Sequence, residues 1–417
     1  MTALNKSQSF RTVFALLQGI LLFMTFTYLL VDCFNGLLMR IGIGISISQL
    51  YKMGLLAGML LFLLGTRPLA FLAAFGLILF FLMPLLFKSL LSGDTSTFVG
   101  NFGYNLKLIL FPVSFLFFSN LELSQENLKA YWKSFVWFNF ILIAFNIFLG
   151  VLGVGYSQYD SPEGQGIGGR GFFFAGNEVA GIFLLFSGVS WYLTKNLNGI
   201  SRFLFFLLLL VLGVLNTSKT AILGIILIVG LIEVPKFFKK RMSLGRFFGL
   251  LSLPLLVIVL VGIIYWGIQA TGLIDRITFF YDKLDLLTFI LSGRNQMVQG
   301  AMTFYPSMYS FWDYLFGVGN QEFLKLMGIY HGNPHTIEID FFDLLFMNGF
   351  LGLSLVLGIF VWATFRSLNQ KQSKSPIWAI NLVLLFVSFM AGHIFNSAML
   401  GISLGMLNGL GFKYWKN

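Results

Sequence analysis

The sequence predicts an all-α polytopic membrane protein of about twelve transmembrane helices with one large extracytoplasmic loop. Three observations carry that prediction. Of the 417 residues, 57% are apolar and only 10% charged, against roughly 45–50% and 25% in soluble domains. Apolar runs close to the roughly 20 residues that a bilayer crossing needs recur from end to end. The net charge of +11 gathers in alternate connections between those runs, as the positive-inside rule describes. A soluble enzyme and a disordered chain are both excluded. The single cysteine, Cys33, rules out a disulfide framework, a four-thiolate zinc site and an iron–sulfur cluster, and three histidines leave little for a His-built metal site.

The expected spans are 13–33, 42–65, 69–91, 98–118, 132–153, 177–194, 202–216, 220–235, 247–268, 340–364, 376–395 and 397–412. They form one membrane-embedded domain: nine spans within 1–268, the large outer loop at 269–339, and three spans within 340–417. The seventh and eighth are short and split by Asn216-Thr217-Ser218-Lys219. With both termini in the cytoplasm, the inner connections hold seventeen of the 27 basic residues and, of the acidic ones, only Glu122, Glu126 and Glu233. This asymmetry accounts for the basic balance without nucleic acid. The cluster Lys236–Arg246 reads as a topology anchor touching anionic membrane lipid. Lys6 and Arg11 before the first apolar run resemble a signal peptide. That run is too long for one and lacks a small-residue cleavage site, so it reads as a retained span. No fixed-period repeat or pair of inverted halves is evident.

Most of the polar chemistry faces outward, in 269–339 and in a second outer loop at 154–176 that holds Asp160, Glu163 and Arg170. That placement argues against ATP as a direct substrate, as does the lack of a P-loop pattern. The glycines of 164–171 read as a flexible loop with a weak capacity to cradle phosphate.

Four constellations stand out. The first is Asn333-Pro334-His335-Thr336-Ile337-Glu338-Ile339-Asp340, continuing to Asp343 and Asn348-Gly349. Asn333 suits an N-cap and Pro334 a first helical position, so the tenth span is expected to start there, its positive end facing an anion. His335 and Glu338, three apart, would then share a helix face. Two readings stay open: a polar helix start solvated at the interface, or an acid/base pair beside an anion site. The second is Ser292-Gly293-Arg294, whose guanidinium fork matches phosphate oxygens. The third runs from Arg170 through Phe172-Phe173-Phe174 to Asn177-Glu178, readable also as an interfacial aromatic belt with a snorkelling arginine. The fourth is the cation Lys219 in a tight outer turn. Lys52 and Lys107 fall near the middle of their spans, where a cation is either paired and functional or snorkelling. His393 reads as a helix–helix hydrogen bonder.

Taken in order, Gly-Phe-Phe-Phe-Ala-Gly-Asn-Glu at 171–178, Ser-Lys-Thr-Ala at 218–221, Ser-Gly-Arg at 292–294 and Glu338-x-Asp340 with Gly349-x-x-Gly352 after a long outer loop resemble the O-antigen ligase and polymerase superfamily of bacterial envelope glycosyltransferases. The likeness covers 170–352 in motif and the whole chain in topology. It implies a GT-C-like architecture in the bacterial plasma membrane with an extracytoplasmic active site. It also implies glycan transfer from an undecaprenyl-diphosphate carrier with no cofactor, metal or nucleotide sugar. Ligases of the family carry Ser-Arg where this chain has Ser218-Lys219, and a histidine where it has Glu338, so the polymerase branch fits better. The resemblance then implies Glu338 or His335 as the catalytic base, Arg170, Arg294 and Lys219 on the diphosphate, and Asp340, Asn177, Lys52 and Lys107 in support. Implied partners are the lipid-linked oligosaccharide, membrane lipid, a chain-length regulator and a flippase. Ligase-type transfer, flipping of the lipid-linked sugar, and a peptidoglycan polymerase of the shape-and-division type are the alternatives.

Overall fold

A computed structural model of the chain describes residues 2–93, 95–160, 166–239, 285–368 and 375–416, with 262 and 265 as isolated positions. Within a bilayer the backbone has no water to bond, so apolar segments satisfy it internally as helices. The chain follows this rule. Helices α1 (Thr2–Arg40), α2 (Ile47–Thr66), α3 (Pro68–Ser92), α4 (Thr95–Asn120) and α5 (Gln125–Val151) succeed one another, and a two-stranded hairpin, β1 (Tyr156–Asp160) and β2 (Gly166–Gly171), follows. Next come α6 (Gly176–Leu193), α7 (Gly199–Leu215) and α8 (Lys219–Lys239), then four shorter helices, α9 (Leu286–Leu291), α10 (Arg294–Met308), α11 (Phe311–Phe316) and α12 (Asn320–His331). Helices α13 (Asp340–Leu368), α14 (Ile377–Met390) and α15 (Ala398–Met406) close the bundle, with a π-turn at 407–411 leading into α16 (Phe412–Lys416).

Six described helical segments are long and apolar enough to cross a bilayer: Thr12–Arg40, Ile47–Thr66, Pro68–Leu91, Thr95–Asn120, Gln125–Val151 and Asp340–Leu368. The architecture is that of a helical membrane protein. Eleven of the expected segments overlap helix, with 42–46 and 391–395 of the second and eleventh lying outside it. The ninth, 247–268, lies outside the described residues apart from 262 and 265, as do Glu163, the stretch 269–284 and the basic cluster beyond Lys239.

Local sequence sets the helix ends. Pro68 opens α3, and the side chains of Ser124, Asn198 and Ser397 cap α5, α7 and α15 by accepting backbone N–H bonds. The described part of 285–339 is a helical subdomain with its own core, which includes Phe304, Phe323, Met327 and Ile337.

Three expectations need correction. The helix expected to begin at Asn333-Pro334 begins at Asp340. The carboxylate of Asp343 reaches back and accepts from the amides of Ile337 (2.9 Å) and Glu338 (3.1 Å), which fixes 333–339 outside the helix. His335 and Glu338 therefore share no helix face. The glycine-rich stretch is strand β2 from Gly166 onward, paired with β1 and packed on α5: side chains at Gly169 and Gly171 would strike the α5 backbone. Third, α13 breaks at Gly349 (φ 71°, ψ −179°), a backbone position that glycine tolerates best. The break lets the carbonyls of Phe346 and Met347 accept from Val318 (3.2 Å) and Gly319 (2.9 Å), tying the short-helix subdomain to the bundle.

Helix–helix contact in lipid relies on close packing more than on water exclusion. Gly401, Gly405 and Gly409 recur at intervals of four and lie against the backbone of α4 at Phe111, Phe115 and Ser119. A Cβ at Gly405 would sit 2.6 Å from the Phe115 nitrogen. Gly405→Val is expected to destabilise the bundle by about 1–3 kcal/mol or more. Gly230→Ala, with open space around it, should be neutral or mildly stabilising. Denaturant titration in detergent measures both.

Candidate functional site

At the N-terminal end of α13, two carboxylates serve as backbone clamps. Asp343 holds the turn at 337–338, where Glu338 takes the left-handed conformation at φ 61°. Asp340 accepts from three consecutive amides, His393 (2.9 Å), Ile394 (2.7 Å) and Phe395 (3.2 Å), in the turn between α14 and α15, where His393 also stands at positive φ, 60°. Both clamps are buried. Non-glycine residues at positive φ are uncommon and strained. Here each is held by a carboxylate, and each presents its side chain to the other.

Glu338 is the hub. One carboxylate oxygen accepts from Arg294 Nη2 at 2.8 Å. The other accepts from Asn177 Nδ2 at 3.1 Å and lies 3.5 Å from His393 Nε2. Arg294 arrives through the Ser-Gly-Arg elbow. Ser292 and Gly293 are both left-handed (φ 55° and 85°), ending α9 and turning the chain so that Arg294 is the first residue of α10. Asn177 stands in the first turn of α6, beside Glu178, which accepts from Ser397 Oγ and from the Met399 amide. Four segments remote in sequence thus meet at one point.

Burial alone would raise the Glu338 carboxyl. The hydrogen bond and charge of His393, then the charge and hydrogen bond of Arg294, outweigh it and hold the group at about 2. For His393, burial pushes the imidazole down, and the bond to Glu338 together with its charge and that of Asp340 pushes it up further, above its usual 6.5. The linkage signs follow. The Glu338 contribution to stability is present above about 4.5 and lost as pH falls towards 2. The His393 contribution is full below 6.5 and lost as pH rises through the elevated value.

The remaining candidates take flanking positions. Arg170 lies on β2, its guanidinium donating to Phe174 O (2.8 Å), packed 5.3 Å from the centre of the Tyr156 ring and against Gly176, the residue before Asn177. Lys219 Nζ lies 4.1 Å over the Phe289 ring and 3.4 Å from its carbonyl, on the helix that leads into the Arg294 elbow. Asp340 is a clamp, as above. His335 is exposed, and the imidazole facing Glu338 is that of His393. His393 also lies 3.4 Å from Asn177 Nδ2 on α6, so it bonds to a helix as expected, though from a turn and with Glu338 as a further partner. Lys52 is buried in α2 and closed on both oxygens of Asp32 in α1 (2.6 and 2.8 Å). It is paired, as a cation at that depth must be, but in the α1–α2 interface. Lys107 is half-buried in α4, its backbone carbonyl beside Gly401. No group of metal-ligating side chains occurs among the described residues. The chain matches no protein-family model and none of the curated proteins with which it was compared.

The opposite end of the bundle is basic and aromatic. Arg67 pairs with Glu122, Arg202 with Glu233 (2.7 Å), and Trp132, Tyr192 and Trp415 pack together. These are groups expected on the inner side.

The chain has three histidines, so nuclear magnetic resonance of labelled imidazoles can follow His393 directly. It should titrate above 6.5 and fall in Glu338→Gln, which removes its anionic partner. A His393 that titrates unchanged in that variant contradicts the pairing.

Proposed function

We propose that the protein is a membrane glycosyltransferase that joins undecaprenyl-diphosphate-linked oligosaccharide repeat units into O-antigen, capsule or exopolysaccharide. The reaction takes place at the outer face of the bacterial plasma membrane. In this reading the chain crosses the membrane twelve times with both termini in the cytoplasm, and it works beside a flippase and a chain-length regulator. The observation that carries the reading is the meeting of Asn177, Arg294 and Glu338 at one end of the bundle. These residues belong to three of the ordered motifs, and the cations and aromatics expected inside gather at the other end.

An acceptor sugar hydroxyl attacks the anomeric carbon of the donor glycan. The bond from that carbon to the phosphate oxygen breaks, its electron pair leaves on undecaprenyl diphosphate, and the hydroxyl proton passes to a base. Diphosphate is already a good leaving group, so the protein's task is to bind it and stabilise its charge. Arg294 is assigned that role. Its Nε–H is buried with no acceptor among the described residues, so the protein does not saturate the guanidinium. Arg170 and Lys219 flank it. Glu338 is assigned as base. At about 2 it is a weak one while Arg294 and His393 hold it. A diphosphate that draws Arg294 away removes one of those cations and strengthens the base, so base strength is coupled to donor binding.

Purified protein with the lipid-linked repeat unit should yield a ladder of products. Glu338→Gln should reduce the rate by about 10²–10⁴-fold. Arg294→Lys, which keeps charge but loses the fork, should cost up to about 2.7–4 kcal/mol of transition-state stabilisation. Normal polymer from Glu338→Gln removes that residue from the mechanism. Transfer of glycan to a different acceptor, or leaflet transfer without reaction, replaces the polymerase reading.

A further inference from the structure

Far from Glu338, α3, α4 and α13 enclose a lateral apolar groove of about 450 Å³, lined by Gly76, Pro112, Phe115, Leu355, Ile359 and Trp362 among others. Its volume is that of a small-molecule site. Gly76 keeps it open, since nothing lies within 4 Å of where its side chain would begin, and Trp362 is 55% exposed at its edge. All three helices run from the groove towards one basic end. One turn beyond Trp362, Arg366 lies with its guanidinium 5.5 Å from that ring and 4.0 Å from the Phe412 ring. Arg67 opens α3, and Lys413 feels the charges of both arginines while donating to Leu121 O at 2.6 Å. Glu122, 79% exposed, is the carboxylate paired with Arg67, so cations outnumber it locally.

We propose that this groove and its arginines bind one anionic phospholipid, with an acyl chain against Ile359 and Trp362 and the headgroup phosphate on Arg366 and Arg67. An apolar channel alone would take any chain. The two guanidiniums beyond its end, both near enough to act on Lys413, favour an anion, because planar forks match phosphate oxygens. The polarity also separates this ligand from the proposed substrate. Asp340, beside Glu338, and Arg366 stand at opposite ends of α13, up to about 39 Å apart at 1.5 Å per residue. A lipid whose phosphate rests on Arg366 belongs to the other leaflet. The site does not depend on the glycosyltransferase reading.

The test uses the full-length protein, stripped of lipid in detergent and titrated with phosphatidylglycerol or phosphatidylcholine, with bound lipid counted by native mass spectrometry. The site should prefer phosphatidylglycerol by about twenty-fivefold, each arginine contributing about fivefold. Arg366→Gln should lose about fivefold of that preference. Gly76→Trp keeps every charge but fills the groove, and should lose one bound lipid; it also serves if Arg366→Gln fails to fold. Equal binding of the two lipids overturns the proposal, as does an undiminished preference in Arg366→Gln or an unchanged lipid count in Gly76→Trp. One-for-one displacement of phosphatidylglycerol by a polyprenyl diphosphate also overturns it, and assigns the groove to the substrate's tail.

Discussion

The Glu338 carboxylate depends on cations brought to it from elsewhere in the chain. At 25% exposure it is too sheltered for water to support its charge. Arg294, Asn177 and His393 supply what water does not, and each comes from a different part of the chain. The pair is held by a second layer. Asp343 fixes the backbone of Glu338, Asp340 fixes that of His393, and Glu178 fixes the start of α15. Removing one member of this partly buried group leaves the others uncompensated. The arrangement therefore has few tolerated alternatives.

The bundle supplies the precision this hub needs. The glycines of α15 bring that helix close to α4, which fixes the turn carrying His393 relative to the rest. The break at Gly349 frees two carbonyls that bind the short-helix subdomain, and with it the helix that begins with Arg294. A straight α13 would leave those carbonyls inside the helix.

Much of this was legible in the sequence. Apolar runs mark most of the helices because lipid leaves the backbone one solution, and Arg294, Asn177, Glu338 and Asp340 could be picked out as polar groups in unfavourable places. What was not legible has a common cause. The partner of Glu338 is fixed by tertiary contact, so spacing favoured the neighbouring His335 over the remote His393. At the start of α13, Asn333-Pro334 is a sound local helix signal, and the Asp343 carboxylate, reaching back to two amides, overrides it. The glycines of β2 read as flexibility, yet they are small to let the strand lie on α5. Helices α9 to α12 lack the length and hydropathy that reveal a span, and only their short caps, such as Asp285 and Ser310, mark them.

Glu338 already holds the Arg294 guanidinium, so a diphosphate bound there, as proposed, would compete with the carboxylate for it. Binding of farnesyl diphosphate to the purified protein, measured by calorimetry for wild type, Glu338→Gln and Arg294→Gln, tests this most directly. The account predicts tighter binding once the competing carboxylate is neutralised, and loss of binding without the guanidinium. Weaker or unchanged affinity in Glu338→Gln, or full affinity in Arg294→Gln, would contradict it.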